Sequence, residues 1–138
     1  MISKIVVDAS IGISWVHPAQ ATKTTEALLE EVGRGTRLVV PTLWLTEVAN
    51  ALLVLERRKK LKEEERLQAL TTLGGLNAVV DESGHCFTFT RVSELAVTHG
   101  LTVYDATYLE LAQRERIPLA TKDGAIRDAA AKIGVVVL

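Results

Sequence analysis

Short runs of apolar, mostly β-branched residues recur along the chain without alternating polar positions. Four of them are clear, at residues 5–7, 38–40, 117–120 and 135–138, and a weaker one covers residues 78–80. Continuous apolar runs of this length are typical of strands that are covered on both faces, as in a parallel sheet. The pattern therefore predicts four or five buried strands.

Segments with the length and spacing of amphipathic helices lie between these runs. They cover residues 19–32, 43–60, 62–75, 104–115 and 124–133. Residues 85–100 are ambiguous, but Phe89, Val92, Leu95 and Ala96 fit one helical face, and we expect a helix there. Strands that alternate with helices predict an α/β fold with a parallel sheet between two layers of helices. A length of 138 residues corresponds to one domain, residues 1–138.

Composition narrows the possible functions only slightly. Hydrophobic residues make up 48% of the chain, enough for a substantial core, and the net charge of −1 excludes nucleic-acid binding through bulk positive charge. The single cysteine, Cys86, excludes an intrachain disulfide. No stretch approaches 18 uninterrupted apolar residues, so no membrane span is expected. These features together predict a protein of the reducing cytoplasm.

Three aspartates stand where the predicted fold would gather them. Asp8 directly follows the first strand, and Asp123 follows the strand at residues 117–120. Because parallel strands end at the same edge of a sheet, where functional sites form, we expect these two side chains to lie close together. Asp105 begins the helix at residues 104–115. Each aspartate also has a structural interpretation, because Asp8 and Asp123 fit the role of a helix N-cap and Asp105 stands three residues after Thr102 in a capping-box pattern, so both interpretations stay open.

Glu47 interrupts an apolar helix. Between residues 43 and 55 only Thr46, Glu47 and Asn50 are polar, and their spacing places them on one narrow stripe. A helix that is apolar on nearly every side is buried or lies at an interface, which suggests a homodimer or another partner. A buried carboxylate is costly unless it is paired or binds a metal ion, and no lysine or arginine lies within four residues of Glu47. Exposure of the stripe to solvent is the alternative.

Carboxylates gathered without cations point to a hard divalent ion. Mg²⁺, or Mn²⁺ in its place, prefers oxygen ligands, and such an ion can activate water and neutralise charge on a phosphodiester. A phosphatase of the haloacid-dehalogenase type would need a second aspartate where Ser10 stands, and a receiver-like domain has no role for Glu47. A module that binds RNA or protein without cleaving it, with structural acids, remains the alternative.

Four segments around these acids resemble, in order and spacing, the four acidic motifs of PIN domains. They read VVDAS at residues 6–10, LTEVANAL at 45–52, LTVYDATYLELA at 101–112 and LATKD at 119–123. The residues of these segments are most similar to those of the VapC toxins of VapBC toxin–antitoxin pairs. The resemblance extends from about residue 3 to residue 138, essentially the whole chain.

This resemblance implies a PIN-domain-like three-layer sandwich and an endoribonuclease that depends on Mg²⁺ or Mn²⁺. Four residues match the acidic quartet of the family and are expected to be both catalytic and metal-binding: Asp8, Glu47, Asp105 and Asp123. Ser10 and Thr121 match the small hydroxylic positions beside the first and last acids, in supporting roles. The implied partners are an RNA substrate and a small VapB-like antitoxin that blocks the site.

Overall fold

A four-stranded parallel sheet forms the centre of the molecule. The computed structural model describes residues 2–138. The strands are β1 Lys4–Val7, β2 Arg37–Pro41, β3 Val79–Asp81 and β4 Leu119–Ala120, in the spatial order β3-β2-β1-β4. All neighbouring pairs are parallel, and β1 lies between β2 and β4. The predicted α/β class with a parallel sheet is confirmed, with four strands rather than five.

Seven α-helices within residues 2–138 flank this sheet. They are α1 Ala9–Val16, α2 Lys23–Gly33, α3 Thr42–Arg57, α4 Glu63–Gly74, α5 Ser93–His99, α6 Val103–Glu115 and α7 Gly124–Lys132. The pattern predicted six of them, with α5 inside the ambiguous region at residues 85–100, but not α1, whose apolar residues follow the first strand after one polar residue. None of the helices within residues 2–138 combines the length and the apolar character that crossing a bilayer requires.

Two of the five strand candidates differ from what the strength of their patterns suggested. Residues 78–80, the weaker candidate, contribute to β3, whereas residues 135–138 form no regular strand. The end of the chain instead runs beside β4 and makes one parallel bridge, between Leu119 and Val137. Leu119 donates its amide to the Val136 carbonyl at 2.9 Å and accepts from the Leu138 amide at 3.0 Å. Because β4 itself has only two residues, it cannot support a longer ladder on this side.

The ambiguous region at residues 85–100 is helical, as expected, but Phe89 does not share its buried face. Val92 and Leu95 are each 1% exposed, whereas Phe89 is 97% exposed. Residues 88–92 form a wide helical turn with π-type hydrogen bonding before α5 begins. A wider turn changes the angle between successive side chains, so the spacing of an ordinary helix predicts the wrong face for Phe89.

The helices form two groups. Helices α1 to α4 contact one another, with α1 on β1 and α3 on β2, while α6 packs on β1 and β2 and contacts α5 and α7. The approach of α1 to α3 depends on Gly12, because a Cβ atom there would lie 3.0 Å from the ring of Trp44. Trp44 is 2% exposed and belongs to the hydrophobic core. This close contact fixes the start of α3 next to the end of β1.

Candidate active site

The candidate site lies at the carboxyl-terminal edge of the sheet, between β1 and β4. Asp8 follows β1 directly, and Asp123 comes three residues after β4. In the strand order β3-β2-β1-β4, β1 has β2 on one side and β4 on the other, so the chain leaves β1 and β4 on either side of a crevice. Open α/β sheets bind ligands at such a point.

Asp8 is buried and almost completely hydrogen-bonded. Its Oδ1 accepts from the Ser10 hydroxyl at 2.6 Å and from the Ile11 amide at 3.2 Å. Its Oδ2 accepts from the Thr121 hydroxyl. The indole N–H of Trp44 donates to the main-chain carbonyl of Asp8 at 3.1 Å, so the residue is fixed through both its side chain and its backbone.

The hydroxyl groups of Ser10 and Thr121 join the two loops that carry the site. Besides donating to Asp8, the Ser10 Oγ accepts from the Lys122 amide at 3.2 Å. The Thr121 Oγ1 likewise donates to Asp8 and accepts from the Asp123 amide at 3.0 Å. A residue without a hydroxyl at either position would leave a carboxylate oxygen and a backbone amide without this partner.

Two of the aspartates do cap helices. Asp8 Oδ1 caps α1 through the Ile11 amide, and Asp123 Oδ1 caps α7 by accepting from the Ile126 amide at 3.0 Å. Asp105 is the third residue of α6, where Thr102 is the N-cap and accepts from the Asp105 amide at 3.0 Å, as the capping-box pattern predicts. A hydrogen bond from Thr102 also lowers the pKa of the Asp105 carboxyl, so this side chain contributes to the start of its helix.

Glu47 lies half-buried on the second turn of α3, and its partner is a tyrosine. The hydroxyl of Tyr108 donates to Glu47 Oε1 at 2.6 Å. Tyr108 is 1% exposed, and a buried tyrosine hydroxyl needs a hydrogen-bond partner. The sequence analysis did not identify Tyr108 as a site residue. Its position three residues after Asp105, on the same face of α6, was the available signal that it faces the site.

Negative charge accumulates at this edge without a compensating cation. Burial raises the pKa of Asp8, hydrogen bonds from Ser10, Thr121 and Ile11 offset part of the rise, and the charge of Asp123 adds to it. Burial also raises the pKa of Glu47, to which the charges of Asp105 and Asp8 contribute. None of the ion pairs within residues 2–138 includes any of the four acids.

Asp105 belongs to the same group electrostatically. Burial raises the pKa of its carboxyl, the charges of Asp123 and Asp8 raise it further, and Thr102 lowers it in part. Burial, the hydrogen bond to Glu47 and the surrounding carboxylates raise the pKa of Tyr108, so its hydroxyl stays protonated and remains a donor. All four predicted acids thus influence one another, although they are contributed by four separate segments of the chain.

The donors that could hold a cation here are carboxylate oxygens, with no histidine or cysteine among the four predicted positions. Within residues 2–138, no three acidic, histidine or cysteine side chains stand close enough together to share one metal ion as they are placed. Instead, Asp8, Glu47 and Asp123 each bind neighbouring groups of the protein. The structure brings the predicted acids to one edge, and their roles as ligands and catalysts stay predictions.

We expect Asp105→Asn to stabilise the metal-free protein. The ordinary pKa of this carboxyl is 3.8, and the folded state raises it. Between those two pKa values the folded protein binds more protons than the unfolded chain does. The free energy of unfolding therefore falls as the pH rises through this interval, and the loss persists at neutral pH. Removing the charge should raise Tm at pH 7.5 in EDTA by a few degrees, since about 1 kcal/mol corresponds to roughly 4 °C in a domain of this size.

Thermal unfolding followed by circular dichroism measures this effect. The difference between Asp105→Asn and the wild type should shrink as the pH is lowered through the raised pKa and vanish below 3.8. Asp128→Asn, at an exposed position of α7, is the matched control and should leave Tm nearly unchanged. A variant that melts at or below the wild-type temperature at pH 7.5 would show that Asp105 experiences no net repulsion.

A comparison with protein families gives one match that covers most of the chain. The family model described as the PIN domain matches residues 5–132. Among proteins of assigned function, the chain is similar to Ribonuclease VapC3 of Pyrobaculum aerophilum. The two are 32% identical over 120 residues, which is 87% of this chain and 89% of that protein.

Solved structures resemble the fold along nearly its whole length. PAE2754 from Pyrobaculum aerophilum has a TM-score of 0.73 at 22% identity, covering 99% of this chain and 92% of that one. VapBC2 from Rickettsia felis, solved bound to a DNA fragment from its promoter, has a TM-score of 0.66 at 15% identity, with coverages of 98% and 97%. At these identities the similarity establishes the fold alone.

Proposed function

Because this chain belongs to the PIN-domain family and is related to the VapC ribonucleases, we propose that it is an endoribonuclease that depends on Mg²⁺ or Mn²⁺. The observation that carries the proposal is the group of four mutually repelling carboxylates, without an ion pair, at the ligand-binding edge of the sheet. A relative named as a ribonuclease supports RNA as the substrate.

The donor set fits a hard divalent cation. Asp8, Glu47, Asp105 and Asp123 would hold it, since all four offer only oxygen atoms and carry charge that no lysine or arginine neutralises. Such an ion lowers the pKa of a bound water and neutralises negative charge on a phosphodiester during hydrolysis.

The remaining residues of the site position the acids. Ser10 and Thr121 hold both oxygens of Asp8 in place, and the Tyr108 hydroxyl orients Glu47. These contacts order the carboxylates before any substrate arrives, which lowers the cost of arranging them during the reaction. The Asp8 and Asp123 caps tie the same carboxylates to the starts of α1 and α7.

We expect replacement of any one of the three aspartates by asparagine, or of Glu47 by glutamine, to slow RNA cleavage by at least about 100-fold, the scale of a lost electrostatic contributor. Each change keeps the side-chain shape and removes one negative charge. The assay uses purified protein, a labelled single-stranded RNA, and Mg²⁺ or Mn²⁺ against EDTA. Asp128→Asn is the control and should cleave at the wild-type rate.

The same variants separate a nuclease from a module that only binds. Mn²⁺ should raise the Tm of the wild type, because it binds the folded state alone, and should raise that of Asp8→Asn less. Cleavage by Asp8→Asn at the wild-type rate, with contaminating nucleases excluded, contradicts the assignment. RNA binding without cleavage in either metal would instead support the non-catalytic alternative.

We also propose that this protein is the toxin of a toxin–antitoxin pair and binds a small VapB-like antitoxin. The Rickettsia felis structure holds both components of such a pair. In this chain, an open groove of about 440 Å³ between α3 and α4 offers a mainly apolar docking surface lined by Trp44, Leu45, Val48, Leu70 and Leu73. An arginine of the antitoxin that reaches the acidic site would neutralise its carboxylates by a forked contact.

Leu45→Asp should weaken the complex with the protein encoded beside this gene without unfolding the chain. Leu45 is 50% exposed, so its replacement leaves the core intact but places charge in the groove. Co-expression followed by affinity capture measures the complex, and Val136→Asp, at a position 62% exposed outside this groove, is the control. Recovery of equal amounts of complex with the wild type, Leu45→Asp and Val136→Asp would exclude this groove as the docking surface.

We propose, finally, a homodimer formed through the helical stretch that carries Phe89 and Val97. Their side chains are 97% and 82% exposed, so this stretch presents two large apolar groups to solvent. We expect light scattering after size exclusion to give twice the chain mass for the wild type and the single mass for Phe89→Glu with Val97→Glu. Val136→Glu should remain dimeric. A monomeric wild type overturns this proposal.

A further inference from the structure

A second concave surface lies beside the candidate active site at the same edge of the sheet. It has a volume of about 310 Å³ and is formed by the start of α3, the start of α6 and the segment after β3. Its lining includes Thr42, Leu43, Glu82, His85, Tyr104 and Thr107. Pockets that bind small ligands begin at about 300 Å³, so this one is large enough for a single planar group.

This pocket shares two helices with the acidic site. Leu43 stands four residues before Glu47 on α3, and Tyr104 stands four residues before Tyr108 on α6. Two lining residues therefore lie about one helical turn, roughly 5.4 Å of rise, from the residues that form the Tyr108–Glu47 hydrogen bond. A nucleotide next to a phosphate at the acidic site would reach the pocket.

The pocket offers a surface for stacking. Tyr104 is 61% exposed although it directly precedes the buried part of α6, and its ring contributes to the pocket wall. Tyr104 therefore does not pack on the sheet. An exposed aromatic ring beside a nuclease site is suited to stacking on an unpaired base, because every base has a flat π-face.

The charges of the pocket disfavour a phosphate and favour a base edge with N–H donors. Asp81 and Glu82 both contribute to the lining. Arg114 binds Asp81 at 2.6 Å and, against the effect of burial, holds the pKa of that carboxyl below its ordinary value. Glu82 is exposed and belongs to none of the ion pairs within residues 2–138. A carboxylate only accepts hydrogen bonds, and amino groups of bases are matching donors.

We propose that this pocket binds one nucleobase of the RNA substrate, stacked on Tyr104 with an amino-bearing edge towards Glu82. The pocket would then prefer guanine, adenine or cytosine, which carry exocyclic amino groups, over uracil. This proposal rests on the proposed ribonuclease function, because the base belongs to a nucleotide near the scissile phosphate. Tyr104 and Glu82 are specificity-determining residues in this arrangement and take no part in the acidic site.

Cleavage of a pooled random-sequence RNA, followed by sequencing of the ends, tests the preference. The wild type should disfavour uracil at one fixed position relative to the cut. Glu82→Gln should flatten the preference there, and Tyr104→Ala should lower kcat/KM roughly tenfold, mainly through KM, because stacking on one base is lost. Tyr104→Phe keeps the ring and should behave as the wild type, as should Glu64→Gln, which removes an exposed acid on α4.

A direct binding measurement keeps the pocket testable even if cleavage fails. Short single-stranded RNAs containing 2-aminopurine should lose fluorescence on binding the wild-type protein, and Tyr104→Ala should abolish this quenching. Absence of cleavage with quenching intact would remove the proposed function and leave the base pocket. Unchanged cleavage preferences in both variants, or Tyr104→Ala weakening only the antitoxin complex, would overturn the pocket as a site for RNA.

Discussion

The burial of the Asp8 carboxylate at the carboxyl end of β1 is the constraint on which most of the local structure depends. Asp8 is 6% exposed, and burying an ionised carboxylate is costly unless hydrogen bonds replace its water. The hydroxyls of Ser10 and Thr121 and the Ile11 amide supply those bonds, and the Trp44 indole binds the main-chain carbonyl of the same residue. Each of these contacts also fixes a neighbouring segment. The hydrogen bonds that offset the cost of burying one carboxylate therefore set the geometry of the whole edge.

Structural and chemical interpretations of the acids turn out to be compatible. Asp8 and Asp123 cap α1 and α7 through one carboxylate oxygen each. The second oxygen of Asp123, Oδ2, takes no part in capping. A helix start also presents partial positive charge that favours the ionised form of a nearby carboxylate. Capping thus stabilises the negative charge that a cation site requires. The same aspartate can therefore cap a helix and contribute to a cation site, although the sequence analysis treated these roles as alternatives.

Sequence patterns predict the parts of this site that depend on sheet topology. They do not predict the parts that depend on contacts between segments far apart in the chain. The meeting of Asp8 and Asp123 follows from parallel strands ending at one edge, and a half-buried Glu47 follows from its apolar helix. The Tyr108–Glu47 bond joins residues 61 apart in the chain and has no local signature. Phe89 was misplaced because a wide turn alters the helical period, and α1 was missed because eight residues carry little periodic signal.

Pairing of β4 with β1 has a consequence for the order in which the molecule is made. The hydrogen bond between Thr121 and Asp8 spans 113 residues, and β4 joins the sheet directly next to β1. During translation the first acid emerges early, but the groups that hold both oxygens and the loop that carries Asp123 emerge only near the end. A ribosome-bound chain or a prematurely truncated fragment that stops before residue 119 has β1, β2 and β3 but no complete acidic edge. The acidic edge is therefore completed only after residues 119–123, which lie in about the last seventh of the chain, have left the exit tunnel.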